Sequence, residues 1–303
     1  MEIKVLGAAG GEVTGSSYLI KTDKAIVLVD AGMFQGGKES EAKNKLPEGA
    51  TPSKIDALLL THAHLDHTGR VPLLIKCGYD GPIYSTEETL KMAQIILQDS
   101  ARLQVADAMR KNRKQWKEGQ PIEEPLYNTE HVEFMQELGR AVEYNTAIEV
   151  AEGITAKWIE AGHMLGSGSI EVTVTENGKT KTIVFSGDLG PVTLPLLKPF
   201  DHFNYADLVF LESTYGDRDH KSFDDTMVEF EKIIVEAHKS GAKILVPTFA
   251  IGRAQQIIYH LAELFHLGKV PPFPIYLDSP MAIKAFTIYK DYQDLLDEEF
   301  QEL

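Results

Sequence analysis

Residues 58–70 read LLLTHAHLDHTGR, with three histidines and an aspartate inside six positions directly behind a leucine run. No other stretch constrains the fold as much. A buried strand is expected to end here, and the loop after it carries four side chains of metal-ligand type. His62 and His64, two apart at a strand end, can point at one ion. The following turn then brings Asp66 and His67 round to a second ion. Imidazole nitrogen with carboxylate oxygen suits Zn²⁺, while Mn²⁺ and Fe²⁺ are disfavoured by softness and affinity order.

One hexapeptide does not complete two sites, so further ligands must come from elsewhere. His163 in EAGHMLGSGS and Asp188 in IVFSGDLG each follow an apolar strand, at the same rim as the hexapeptide. Each alone reads as a turn residue; their shared position makes them candidate ligands.

The 303 residues allow one large domain or two ordinary ones, with 43% hydrophobic and 25% charged residues typical of a globular chain. The single cysteine, Cys77, excludes an intramolecular disulfide and suits a reducing cytosol. No basic segment with an apolar core opens the chain, and no apolar run approaches ~18 residues, so a soluble cytoplasmic protein without membrane contact is expected. The formal charge of −15 gives no general affinity for a polyanion. Bound divalent metals and a local basic patch would have to reverse the field at a nucleic-acid site.

Strands are expected over 2–10, at YLIKT and AIVLVDAG, over 55–61, 147–163, 169–188 and 206–214, with ENGK (176–179) a two-residue hairpin turn. A capping signal and three–four spacing predict a long helix from 86 to about 117. Its basic end (Arg110, Lys111, Arg113, Lys114, Lys117) reads either as a solvated helix terminus or as a substrate contact. After about 220, helix and strand alternate: AKILVPTFA and FPIYLDS read as buried strands between amphipathic helices, as in a parallel sheet of a second domain. The last stretch places Tyr289, Tyr292, Leu296, Phe300 and Leu303 on one helical face and ends without a cap, the pattern of a chain that continues.

HAHLDH, with VLVDAG before it and GH and SGD after it, resembles the metallo-β-lactamase superfamily over residues 1 to about 212. ESTYG (212–216), PTFAIGRAQ (247–255) and YLDSPMA (276–282) resemble its β-CASP subgroup, and QDSARLQ with NRKQWKEGQPIEEPLY its cleavage-and-polyadenylation-factor branch, whose members cut RNA. The resemblance implies an α/β fold: a metallo-β-lactamase αββα sandwich (1–212) with a partial β-CASP α/β domain (213–303). It implies two Zn²⁺ ions, one held by His62, His64 and His163, the other by Asp66 and His67, with Asp188 bridging. Asp30 would hydrogen-bond a ligand histidine and fix its tautomer. Asp66 and Glu212 would be the catalytic carboxylates, Glu212 orienting a histidine that protonates the leaving oxygen. Thr248, Arg253 and Ser279 would face the substrate, Arg253 suiting a phosphate. The implied activity is a metal-dependent ribonuclease that hydrolyses RNA, single-stranded RNA favoured, with a dizinc-bridged hydroxide.

The family pattern needs two more histidines, C-terminal to anything present. His131, His202, His220, His238, His260 and His266 all lack the matching context. The expectation is therefore an incomplete chain of a longer nuclease, with the second metal under-coordinated and activity weakened. Two alternatives stay open: hydrolysis of a small ester, thioester or lactam on the same fold, and a non-catalytic scaffold subunit in RNA processing. A flavin-linked diiron oxidoreductase is disfavoured, because that pattern has Glu where this chain has His64. A homo-oligomer is compatible with all of these readings.

Overall fold

The computed structural model describes residues 1–10, 12–49, 51–118, 122–191 and 196–296, without the side chains of 114–118. Six strands form a first sheet: β1 (Glu2–Gly7), β2 (Ser17–Lys21), β3 (Ile26–Val29), β4 (Ala57–Leu59), β5 (Ile83–Ser85) and β6 (Gly139–Ala141). They lie in sequence order, antiparallel from β1 to β3 and parallel from β3 to β6. Five more form a second sheet: β7 (Ile148–Ala151), β8 (Ile154–Glu160), β9 (Gly168–Glu176), β10 (Lys179–Phe185) and β11 (Leu208–Phe210). Their order is β11-β10-β9-β8-β7, antiparallel except for the parallel β10–β11 pair. Asn177 and Gly178 both have positive φ, 52° and 72°, as a two-residue hairpin turn requires.

Strand alternation sorts the first sheet's side chains between two cores. Leu28, Leu58 and Leu60 pack with Leu74, Met92, Leu97 and Met135 of the covering helices. Val27, Val29, Ala57 and Leu59 face the second sheet and meet Trp158, Ile170, Val172 and Phe185. The helices are α1 (Lys38–Glu41), α2 (Leu65–Thr68), α3 (Val71–Lys76), α4 (Glu87–Glu118), α5 (Thr129–Leu138), α6 (Phe223–Ser240), α7 (Arg253–His266) and α8 (Pro280–Asp291). The long helix expected from 86 is α4. At its basic end Arg110 pairs with Asp107 and Lys111 with Glu123, while Arg113 is exposed; the side chains of Lys114 and Lys117 lie outside the described residues.

Beyond 213 the structure departs from the sequence reading. Residues 243–249 and 273–279 belong to no strand, and Leu245, Phe249 and Tyr276 are 91%, 86% and 88% exposed. A strand exists only through a partner's hydrogen bonds, and neither segment has one among the described residues. The helices here build a small core of their own from Ile234, Leu261, Leu264 and Val270. The final helical face also breaks. Helix α8 ends at Asp291, and Leu296 pairs instead with Leu197, while Phe300 and Leu303 lie outside the described residues. No described helix is long and apolar enough to cross a membrane. Cys77 is free and exposed.

Candidate metal centre

The leucines of β4 bury its backbone, and the chain leaves the sheet at Thr61 with His62 fully buried. Residues 65–68 then close the single turn α2, with Thr68 Oγ1 donating to the carbonyls of Ala63 and His64. Residues 30–33 lie alongside. Ala31 N donates to His67 O (2.8 Å), Met33 N to Leu65 O (2.9 Å) and Ser16 N to Asp66 O (2.9 Å). Gly32 has to be glycine here, because a Cβ on it would sit 1.5 Å from the Asp66 carbonyl oxygen.

Arg70 locks the arrangement from behind. It is 2% exposed and gives its guanidinium to the carbonyls of Gly32, Lys45 and Gly15, with the Phe34 ring 4.9 Å away. Burial lowers its pKa to about 10, so it remains a cation.

His163 arrives on the loop after β8. Ser167 Oγ accepts from the backbone N–H of His163 (3.1 Å) and Met164 (3.2 Å), and Gly162 N donates to Glu160 Oε1 (2.8 Å). Thr86 and Thr89 of the α4 entry hold the far side of the loop through Gly166 O. Asp188 arrives after β10. Its neighbour Leu189 donates N–H to Glu212 Oε1 (2.9 Å), whose other oxygen accepts from Thr214 N (3.1 Å).

These loops bring two donor sets together: His62, His64, His163 and Asp188, then Asp66, His67 and Asp188. In the first, His62 Nε2 is 3.2 Å and His163 Nε2 3.0 Å from His64 Nδ1, and both lie near Asp188 Oδ2, at 3.7 and 3.5 Å. A tetrahedral ion bound at ~2.0–2.1 Å spaces its donors about 3.3–3.4 Å apart. The observed edges bracket that value, so the donors fit such an ion without rearrangement. In the second set, His67 Nε2 is 3.2 Å from Asp188 Oδ1 and 3.9 Å from Asp66 Oδ2. Asp188 thus offers one oxygen to each set.

Protonation states suit the purpose. Burial, then the neighbouring histidines, holds His62 well below the usual imidazole pKa and His64 at about 3; burial also lowers His163. All three are neutral at pH 7 and present lone pairs to one point. His67 differs. Burial opposes its charge, but Asp30 and Asp188 outweigh burial and raise it well above the usual value. Its Nδ1–H donates to Asp30 Oδ2 at 2.7 Å, which leaves Nε2 facing Asp188. Asp30 also accepts from Thr61 N (2.9 Å) and Thr61 Oγ1 (2.8 Å). Asp188 is pulled down to about 2: burial raises it, but the hydrogen bond and positive charge of His67 win. Burial raises Asp66.

Asp188 borders two cavities. One, about 530 Å³, is lined by Asp30, His67, Glu212, Tyr215 and Arg218; the other, about 500 Å³, by His64, Asp66, His163 and residues of α4 and 249–251. Thr248 and Arg253 are exposed and line neither, and Ser279 caps α8 by accepting from Ala282 N. The remaining histidines stay outside both donor sets: His131 caps α5, and His260 packs among Phe223, Phe230 and Tyr259. Sequence reasoning missed Thr61, Arg70, Glu160 and Ser167. Only Thr61, next to the hexapeptide, carried any signal.

The chain matches the family model of the metallo-beta-lactamase superfamily over residues 10–234 and that of the Beta-Casp domain over 254–303. It is 39% identical to Ribonuclease TTHA0252 of Thermus thermophilus, over 99% of this chain and 63% of that protein. It is 30% identical to the Transcription termination factor FttA of Thermococcus kodakarensis, over 99% of this chain and 45% of that one. The chain therefore spans less than two thirds of the curated relatives it matches. A crystal structure of a protein of unknown function from Enterococcus faecalis shares the fold at a TM-score of 0.53, with 14% identity over 95% of this chain and 67% of that chain. With a His/Asp metal-binding cluster where its loops converge, this chain belongs to the metallo-beta-lactamase superfamily and carries a Beta-Casp domain.

Proposed function

We propose that this chain is the metal-binding part of a ribonuclease that hydrolyses RNA phosphodiester bonds with two zinc ions, single-stranded RNA favoured. The observation that carries the reading is Asp188, whose two carboxylate oxygens face two separate donor sets. Similarity to a ribonuclease at 39% identity supports RNA as the substrate class.

His62, His64, His163 and Asp188 would hold one ion, and Asp66, His67 and Asp188 the other. When bound, the pair lowers the pKa of a shared water and neutralises charge on the phosphodiester. The protein's own groups do the rest. Asp30 keeps the proton of His67 on Nδ1, so that Nε2 remains a donor to the site. Asp66 and Asp188 add anionic charge, which favours divalent cations over an empty pocket. Glu212, tied by Leu189 N and Thr214 N, would orient a proton-donating histidine toward the leaving oxygen, and Arg218 in the same cavity, paired with Asp217, would suit a phosphate oxygen. Thr248, Arg253 and Ser279 remain candidate substrate contacts. The domain division falls at 212/213, a reading that the small core shared by α6 and α7 supports.

Metal content per chain, measured on protein purified without a histidine tag, together with cleavage of an unstructured single-stranded RNA, tests the reading. Two zincs per chain and cleavage abolished by Asp66→Ala are expected. Two zincs with hydrolysis of a thioester or lactam but not of RNA would replace the substrate class. Unchanged cleavage in Asp66→Ala would overturn the metal assignment.

A further inference from the structure

The two cavities that meet at Asp188 differ in chemistry. The Arg218 side is the more polar of the two and holds a cation, whose guanidinium pairs with Asp217. The other contains no Lys or Arg among its described lining residues, although it opens directly onto His64, Asp66 and His163. A phosphate would meet no Lys or Arg there and would sit among the carboxylates of Asp66, Asp99, Asp107 and Asp188. Its walls are Leu103 of α4, Ile251 and Met281, with the Phe249 ring standing 86% exposed at the mouth. Ser100, Gln104 and Asp99 lie on the same α4 wall. Asp99 is half-buried and has no hydrogen-bond or ion-pair partner among the described residues. The Oε1 of Gln104 is buried without a partner, while its Nε2 donates to Ser100 Oγ.

These features match a flat, uncharged, aromatic ligand with hydrogen-bond donors on one edge. Single-stranded nucleic acid offers such a ligand at every residue, because an unpaired base stacks on an aromatic side chain and exposes its Watson–Crick edge. At about 500 Å³ the cavity is within the ~300–1,000 Å³ range of small-molecule pockets.

We infer that this cavity is a nucleobase subsite, in which the base next to the scissile phosphate stacks on Phe249 and donates an exocyclic amino group to Asp99. The inference rests on the ribonuclease reading of the metal centre. It divides the substrate between the two cavities: sugar–phosphate toward Arg218, base toward Phe249. It also sets a preference. Adenine, cytosine and guanine each carry an exocyclic amine that a carboxylate can accept from; uracil has none, and its one ring donor, N3–H, is flanked by two carbonyl oxygens that an unpaired carboxylate repels. Phe249 lies in an irregular, exposed segment and Asp99 on a helix surface, so alanine at either position leaves the core intact.

The test uses the zinc-loaded protein and fluorescent, unstructured oligo(A), oligo(C) and oligo(U) with phosphorothioate linkages, so that binding is read without turnover. Cleavage of the matching phosphodiester RNAs is measured in parallel. Oligo(A) and oligo(C) are expected to bind about tenfold or more tightly than oligo(U). Phe249→Ala should weaken all three by roughly 5- to 150-fold, and Phe249→Tyr should restore binding. Asp99→Ala should bring oligo(A) and oligo(C) down to the level of oligo(U). Cleavage of RNA by the wild type with Phe249→Ala binding unchanged, or with the base preference surviving Asp99→Ala, would overturn the subsite and spare the nuclease. A wild type that neither binds nor cuts RNA would overturn both.

Discussion

A carboxylate that is 1% exposed needs partners for its lone pairs, and Asp30 finds them in Thr61 N, Thr61 Oγ1 and His67 Nδ1. The third of these bonds sets the tautomer of His67. Asp30→Ala should therefore lower affinity at the Asp66–His67 half of the site by about 10–100-fold while sparing the three-histidine half. Competition with a zinc chelator reads the two affinities apart; equal loss at both halves would assign Asp30 a merely structural role. Gly32→Ala acts on the same half by another route. Its Cβ would meet the Asp66 carbonyl at 1.5 Å, so the loop must move. Loss of about 1–3 kcal/mol of stability is expected in denaturant unfolding, together with a weakened second metal. The residues that the loops bring together as candidate ligands were legible in the sequence, because histidine and aspartate at strand ends are rare enough to notice. Arg70 and Ser167 were not: an arginine that bonds only carbonyls, and a serine that accepts from two backbone N–H groups, look like any other Arg and Ser until the loops are seen together.

Strands β3, β4, β9 and β10 were readable because alternation and apolar runs record a burial that pairing then completes. The segments 243–249 and 273–279 carry the same apolar signal, yet a strand also needs a neighbour, and composition says nothing about whether one is there. At the last position of β8, three residues before His163, sits a group that no pattern announced. Burial raises the Glu160 carboxyl to about 7 from its ordinary 4.5, despite the bond from Gly162 N. Between those two pH values the folded chain holds a proton that the unfolded chain releases, so stability falls as pH rises from 4.5 to 7. The shift corresponds to a penalty of about 3 kcal/mol at pH 8. Glu160→Gln keeps an acceptor for Gly162 and removes the charge. It should raise stability at pH 8 by up to that amount and leave it unchanged at pH 4. Urea unfolding at the two pH values, with metal held constant, checks the sign: equal gains at both would mean that Glu160 is ionised throughout.

At the scale of the whole molecule, the net charge of −15 and the proposed substrate pull in opposite directions. A nucleic-acid protein that relies on a basic surface releases many counterions, and its affinity collapses with salt. This chain has little such surface at its centre. One cavity beside the candidate metal ligands offers Arg218 and the other no cation among its described residues, and Arg218, like Arg110 and Lys111 of α4, is paired with an acid. Two divalent ions would reverse the field only over the few ångströms where the phosphate sits, since the Debye length at physiological salt is about 8 Å. Affinity must then come from metal contact and base stacking, neither of which releases many counterions. For single strands the logarithm of affinity falls with the logarithm of salt at about −0.7 per phosphate neutralised. With one to three phosphates engaged, a slope of roughly −1 to −2 is expected for oligo(A) binding to the zinc-loaded protein, titrated by fluorescence anisotropy. Removing zinc by dialysis against a chelator should abolish most of the binding at every salt concentration, because the remaining acidic centre repels the phosphate. A slope steeper than about −4, or full binding by the metal-free protein, would place the contacts on a basic surface away from Asp188 and detach RNA binding from the metal centre.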